Sequence, residues 1–233
     1  MKEQLNPELV SALLGVFAHD LRNPLSALHS NVSFLSSILA TEDAEAREAL
    51  DDVAASSDAL GHITDNLELF ALALDGARPR ETLELMLREL LREVAQKTRR
   101  FAESYRVVLE IDAESAGDVR VIAHREMLQR AISNLVRNGI QHAGEAGKVT
   151  VKARREGSQA IVSVTDTGAP INADLTTLAL TAEGQFATKN QPGSRYSRGL
   201  GLYAAKIAAD VAGATVTVKS GGSGAFELGV KTR

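Results

Sequence analysis

The sequence predicts an α + α/β chain: a helical hairpin forming a dimeric four-helix bundle, followed by an α/β sandwich domain with a mixed sheet. Three observations lead there. Apolar residues recur every three or four positions through the first third of the chain, the period of one helix face. The segment Asp75-Gly76-Ala77-Arg78-Pro79 then ends that pattern, because Gly caps a helix and Pro cannot continue it. Beyond it, short alternating segments are interleaved with helical ones, the signature of strands and helices in one layered domain. The boundary places a first domain at 1–78 and a second at 79–233.

Composition bounds the possibilities. With 233 residues and 44% hydrophobic content, the chain can bury one large or two modest cores. The absence of Cys excludes a disulfide framework and any thiolate metal site, and fits a reducing, cytoplasmic setting. The longest uncharged run, Asn23 to Thr41, holds five Ser with Asn, His and Pro, so it is no membrane span. Met1 to Pro7 lacks the basic-then-apolar pattern of a signal peptide. The net charge of -4 conceals -9 over residues 1–78 and +5 over the rest. An acidic half argues against a nucleic-acid footprint along the whole molecule, while a mildly basic half suits a polyphosphate ligand.

The first helix is read from Leu9 through Leu13, Phe17, Leu21, Leu25, Leu28, Val32 and Leu35 to Leu39, one continuous apolar stripe. A turn follows at Thr41 to Asp43, and the acids Glu42, Asp43 and Glu45 suit the positive end of a new helix. In that second helix Leu50, Val53, Ser57, Leu60, Thr64, Leu67, Ala71 and Leu74 keep a heptad beat, a narrow seam suited to a bundle. Two helices cannot close such a core, so the economical solution is a homodimer whose two hairpins make a four-helix bundle, and the alternative is docking on the chain's own second half. Downstream, the pattern predicts helices near 82–103, 124–142 and 199–212. Strands are predicted near 106–111, 118–123, 148–154, 159–165, 214–219 and 225–230, with the helices on one face of the sheet.

Four constellations carry chemistry. His19 stands in Phe17-Ala18-His19-Asp20-Leu21-Arg22-Asn23-Pro24-Leu25, roughly opposite Leu21, Leu28, Val32 and Leu35 at the helical period, so its imidazole faces water as an available nucleophile. Asp20 can accept one ring proton and make the other nitrogen more basic; Asn23 is one turn on, and Pro24 removes a backbone hydrogen bond beside the histidine. Asn134 and Asn138 are four apart and share a helix face, presenting neutral oxygens to a hard cation. Asp166-Thr167-Gly168 closes a strand: the carboxylate can accept from an exocyclic amine, and the glycine lets backbone pass close beneath a flat ring. Ser197-Arg198-Gly199-Leu200-Gly201-Leu202 opens a helix, exposing N–H groups where phosphates sit. Between the last two, Thr181 to Tyr196 is long and polar enough to act as a lid.

In this order and spacing, the four motifs resemble a two-component histidine kinase, over nearly the whole chain. The resemblance implies a dimerisation and phosphoacceptor domain followed by the ATP-binding domain shared with gyrase and MutL. It implies His19 as the autophosphorylated residue, Asp20 as its acid/base partner and Asn23 as the residue that orients water in a phosphatase reaction. It further implies Asn138 with Asn134 holding Mg²⁺, Asp166 reading adenine, and Gly199, Leu200 and Gly201 beside the phosphates. Phe186-Ala187-Thr188-Lys189 is similar to the family's lid segment, and Thr188, Gly168 and His142 are assigned to the nucleotide pocket. Pro170, Gly139, Gln141 and Ser197 depart from the family pattern.

The expectation is therefore a cytoplasmic, homodimeric protein histidine kinase using ATP and Mg²⁺ and passing its phosphoryl group to an Asp of a response-regulator receiver domain. No nucleic-acid partner is expected, and the chain reads as a cytosolic orphan or a piece of something larger. Two rivals share the architecture: a phosphotransfer relay without autokinase activity, and an adaptor whose nucleotide pocket only regulates partner binding. His29, His62 and His124 read as ordinary surface or structural histidines.

Overall fold

The structure, a computed structural model, describes residues 7–38, 44–74, 76, 81–169, 176, 178–188, 200–219 and 225–233. The chain divides into two compact units, Met1–Gly76 and Ala77–Arg233.

The first unit is a hairpin of α1 (Pro7–Ile38) and α2 (Ala44–Leu74). Helix α1 is continuous through Pro24, which removes one donor without ending the helix. The apolar stripe read from the sequence divides into two lines. Ser11, Ala18 and Val32 of α1, at seven- and fourteen-residue intervals, are buried, as are Ser57, Thr64 and Ala71 of α2. These small side chains let the helices approach closely, and Ser11 Oγ donates to the carbonyl of Ala71 at 3.1 Å. The larger residues interleaved with them, Leu21, Leu28 and Leu35 on α1 and Val53, Leu60 and Leu74 on α2, remain 38–49% exposed. A single hairpin offers each helix one partner, so only half of a two-line seam can be covered within it.

The second unit is an α/β sandwich. Its elements are β1 (Leu83–Met86), α3 (Leu87–Ser104), β2 (Val108–Asp112), β3 (Arg120–Ala123), α4 (Arg125–Ala143), β4 (Lys148–Glu156), β5 (Gln159–Asp166), α5 (Ala182–Thr188), α6 (Gly201–Ala212), β6 (Ala214–Lys219) and β7 (Ala225–Lys231). Five strands form one sheet in the order β2-β4-β5-β7-β6. The β2–β4 pair is parallel and the other three pairings are antiparallel, so the sheet is mixed. Strands β1 and β3 form a separate antiparallel pair. Helices α3, α4 and α6 pack against the large sheet. Val149, Val151, Val162, Val164, Phe226 and Leu228 supply its buried face. Buried alanines 204, 205, 208, 209 and 212 let α6 lie close against α4.

Two expectations are corrected. The predicted helix near 82–103 starts later, because Leu83–Met86 is a strand paired with Ala123–Arg120; its Leu-Glu-Leu alternation is too short to outweigh the helical pattern that follows, and only the partner strand settles it. The polar stretch from Thr181 is not all loop. Thr181 caps α5, its Oγ1 accepting from the N–H of Gly184 at 3.0 Å, with Glu183 in the favourable first turn. Residues 189–196 lie outside the described residues.

Candidate active site

Each unit carries its own candidate residues. In the hairpin, His19 and Asn23 are exposed on α1, as their spacing predicts. The side chains of Asp20 and Pro24 lie outside what the structure describes. Arg22, between them, reaches across to α2. Its Nη2 donates to Asp65 Oδ1 at 3.1 Å and its Nη1 lies 2.6 Å from Glu68 Oε1. The Glu68 hydrogen bond, aided by Asp65, pushes the guanidinium pKa above its ordinary value, so it stays charged throughout the working range. Two turns further, His29 Nδ1 lies 3.4 Å from Asp58 Oδ1. Sequence reasoning passed over Arg22; the available signal was the acidic spacing of Asp65 and Glu68, three apart on α2.

In the sandwich, α4 and the end of β5 build the second site. Helix α4 begins with His124 as its N-cap, whose Nδ1 accepts from the N–H of Met127. Leu135 and Val136 are fully buried toward the sheet, so Asn134 and Asn138 project from the flank. Both asparagines are themselves buried. The Asn134 amide nitrogen donates to the carbonyl of Arg130 at 3.0 Å. This fixes the flip, leaving its buried oxygen with no hydrogen-bond partner among the described residues. An oxygen buried without a donor is a costly arrangement unless a cation or ligand completes it, and an amide oxygen is a suitable ligand for Mg²⁺.

Asp166 ends β5 with its carboxylate almost wholly buried. Its Oδ1 accepts from the N–H of Gly168 at 2.9 Å and lies 3.3 Å from His142 Nδ1 at the end of α4. The glycine is obligatory at 168. A Cβ there would stand 2.1 Å from His142 Nδ1 and 2.4 Å from the His142 carbonyl oxygen, so any side chain would push the loop off the histidine. Thr167 pins the same loop to β4: its Oγ1 accepts from the Lys148 N–H at 2.9 Å, and its own N–H donates to the Lys148 carbonyl at 3.0 Å. Beneath Asp166 lies Gly139, on the buried side of α4. A Cβ at 139 would meet Val149 methyls at 3.4 Å and Asp166 Cβ at 3.7 Å, ordinary van der Waals contact. Gly139→Ala therefore gains helix propensity of about 1 kcal/mol without a clash. The expected outcome is a thermal midpoint about 2–4 °C higher by calorimetry, with nucleotide affinity unchanged.

At the third corner, Leu200 precedes α6 in the left-handed region, at φ 55° and ψ 45°, with no side chain capping the helix. A non-glycine residue held there is strained, and the first N–H groups of α6 receive no acceptor from the cap residue. Gly201 begins the helix and is buried. Gly199 and Ser197 lie outside the described residues, as do Pro170, Lys189 and the side chain of Thr188. Arg137, between the two asparagines, stacks its guanidinium 3.6 Å above the ring of Phe101 on α3, which fastens the site helix to its neighbour. The structure thus brings Asn134, Asn138, His142, Asp166 and Gly168 onto the α4–β5 junction, and places His19 and Asn23 in the other unit. Among the described residues, no helix is long and apolar enough to cross a membrane.

Comparisons with known proteins agree with both halves. Residues 9–76 match the His Kinase A (phospho-acceptor) domain, and residues 123–232 match the family described as histidine kinase-, DNA gyrase B-, and HSP90-like ATPase. The chain is 29% identical over 155 residues to the alginate biosynthesis sensor protein KinB of Pseudomonas aeruginosa, covering 65% of this chain and 25% of that protein. It is 27% identical to the sensor histidine kinase ZraS of Escherichia coli, covering 87% of this chain and 41% of that protein. The chain therefore spans less than half the length of these curated relatives. Among solved structures, the catalytic domain of histidine kinase ThkA superposes with a TM-score of 0.54 at 28% identity, covering 65% of this chain and 96% of that one. With a phosphoacceptor hairpin leading directly into an ATPase sandwich, and histidine kinases among its relatives in sequence and structure, the chain belongs to the two-component histidine kinases.

Proposed function

We propose that this chain transfers the γ-phosphoryl group of ATP to His19 and then to an aspartate of a receiver domain. The observation that carries the reading is the buried Asp166 carboxylate at the end of β5, bonded to Gly168 and facing His142, together with the Asn134 oxygen on the same helix as His142, which has no hydrogen-bond partner among the described residues. A fixed carboxylate suits the exocyclic amine of adenine. The asparagine oxygens suit Mg²⁺, which when bound would neutralise charge on the phosphates. The strained turn at Leu200 presents the start of α6 to the same polyphosphate.

Chemistry at His19 needs little from the protein beyond placement. Nε2 attacks the γ-phosphorus, the N–P bond forms, the bond to the bridging oxygen breaks, and ADP leaves. The Nδ1 proton is held by Asp20, which keeps Nε2 unprotonated for attack. In the onward step a receiver carboxylate oxygen attacks the phosphorus, the N–P bond breaks and its electron pair returns to Nε2, which leaves a neutral imidazole with its proton still on Nδ1. Asn23, one turn along the same exposed face, orients a water for hydrolysis of the phosphorylated receiver. The setting that fits this relay is the cytoplasm.

The test is incubation of the full chain with Mg²⁺ and ATP labelled at the γ or the α position. Label from γ alone, stable to base and lost in acid, is the expected result for a phosphoramidate. Nucleotide binding with no label of either kind would sink the kinase reading in favour of an adaptor.

The reading also includes a homodimer. The six outward apolar residues at heptad spacing on α1 and α2 form a second seam of the kind that closes a four-helix bundle. Leu60→Glu places a charge in that seam twice per dimer, and each buried leucine contributes about 1.5–3 kcal/mol. We expect the dissociation constant to rise by roughly two orders of magnitude or more, measured by sedimentation equilibrium, while Glu48→Ala on the exposed start of α2 leaves it unchanged.

A further inference from the structure

We propose that Arg22 is the cation that holds the phosphoryl group on His19, and that Asp65 and Glu68 limit the lifetime of the phosphohistidine by competing for it. This rests on the reading that His19 is phosphorylated.

Positions 19 and 22 are three apart on α1, so their Cβ atoms are neighbours at about 5–6 Å. Side chains on a helix lean toward its N-terminus, which carries Arg22 back toward the turn that bears His19. Its guanidinium is already partly committed: Nη2 bonds Asp65 at 3.1 Å and Nη1 meets Glu68 at 2.6 Å. Those contacts engage one N–H on each terminal nitrogen, and the fork has five. The group is therefore anchored on α2, on a side chain that starts one helical turn from His19, with donors to spare, and its partial exposure, with a side-chain relative value of 40%, leaves it reachable from solvent.

The charges set a competition. Arg22, Asp65 and Glu68 together carry a net charge of -1 before any phosphoryl group arrives. A phosphoryl group on Nε2 adds close to two negative charges one helical turn away. Arg22 can then re-partition from carboxylate to phosphoryl oxygen, since charge-assisted bonds to phosphate are as strong and as well matched in geometry as those to carboxylate. Asp65 and Glu68 act in the opposite sense. They retain part of the guanidinium and repel the incoming dianion, so the phosphoryl group is kept but not kept tightly. That suits a group whose task is to be passed on.

A purely structural cross-helix ion pair gives a different signature. Removing either side of such a pair breaks the same contact and loosens the same helices, so variants at Arg22 and at its two acids would shift behaviour in one direction. The phosphoryl-holding role predicts opposite directions.

The experiment labels the full chain with γ-labelled ATP, removes nucleotide by desalting, and follows loss of acid-labile label from wild type, Arg22→Ala, Arg22→Lys and the double variant Asp65→Asn/Glu68→Gln. The expected results are loss about five- to tenfold faster for Arg22→Ala, within about twofold of wild type for Arg22→Lys, and about fivefold slower for the double variant. Arg22→Lys and the double variant retain a cation, so if Arg22→Ala misfolds by circular dichroism their two rates decide. Shifts of the alanine and double variants in the same direction, or a double variant that loses label at the wild-type rate or faster, would overturn the proposal alone. Wild type that never takes label would overturn the underlying reading and the proposal together.

Discussion

His19→Ala is expected to abolish phosphoryl incorporation from γ-labelled ATP with nucleotide affinity at the wild-type value, whereas His29→Ala is expected to retain incorporation. The chain has five histidines, and their surroundings separate them. His142 faces Asp166 with little exposure, His124 spends Nδ1 capping α4, and His62 is half-buried against Asn66, 3.4 Å from its amide nitrogen. Only His19 and His29 stand well exposed on the hairpin. Ten residues at 1.5 Å each put them about 15 Å apart along α1, too far to serve the same nucleotide phosphate in one pose. His29 already faces Asp58, and it lacks the acid and asparagine that flank His19 in Asp20 and Asn23. Loss of label should therefore be complete in one variant and absent in the other, read by autoradiography with affinity measured in parallel by calorimetry. Label surviving in His19→Ala but lost in His29→Ala would move the phosphoacceptor down the helix.

Much of this is legible in the sequence, and the reasons are physical. Asn134 and Asn138 could be placed because a helix period leaves no choice about which residues share a face once Leu135 and Val136 are assigned to the core. Asp166 could be placed because a β-type alternation ran directly into Asp-x-Gly, fixing the carboxylate at a strand end. What stayed hidden depended on partners remote in sequence. Strand β1 exists only because Ala123–Arg120 lies beside it. The threonine cap of α5 was obscured by the glycine and glutamine that follow it. The heptad pattern of α2 showed that a seam exists but not that it divides. Ser57, Thr64 and Ala71 meet α1, while Val53, Leu60 and Leu74 face outward, and only the distance between two specific helices assigns the small residues to the closer contact. The Arg22 fork shares that difficulty: the spacing of Asp65 and Glu68 marks an acidic pair on α2, but these acids lie 43 and 46 positions from Arg22 and only the pairing of the helices joins them.

Asp166→Asn is expected to lower adenine-nucleotide affinity by roughly 30- to 1000-fold, the equivalent of about 2–4 kcal/mol. The substitution is close to isosteric, so the fold has little reason to change. The amide oxygen can still accept from the N–H of Gly168, which lies 2.9 Å from Oδ1. The amide nitrogen then occupies the place of the second carboxylate oxygen and directs a donor toward the ligand. An exocyclic amine is also a donor, so a buried acceptor–donor pair becomes two donors face to face, with no water to relieve them at a site this enclosed. The same reasoning gives a sign reversal for a different base. A 6-oxo purine nucleotide presents an acceptor where adenine presents its amine, so inosine nucleotide should bind the asparagine variant better than it binds wild type, narrowing or inverting the preference. Titration of both proteins with both nucleotides reads the effect directly. Equal losses for the two bases would mean that Asp166 supports the loop through Gly168 and His142 without reading the purine, and the adenine assignment would have to move elsewhere on the α4–β5 junction.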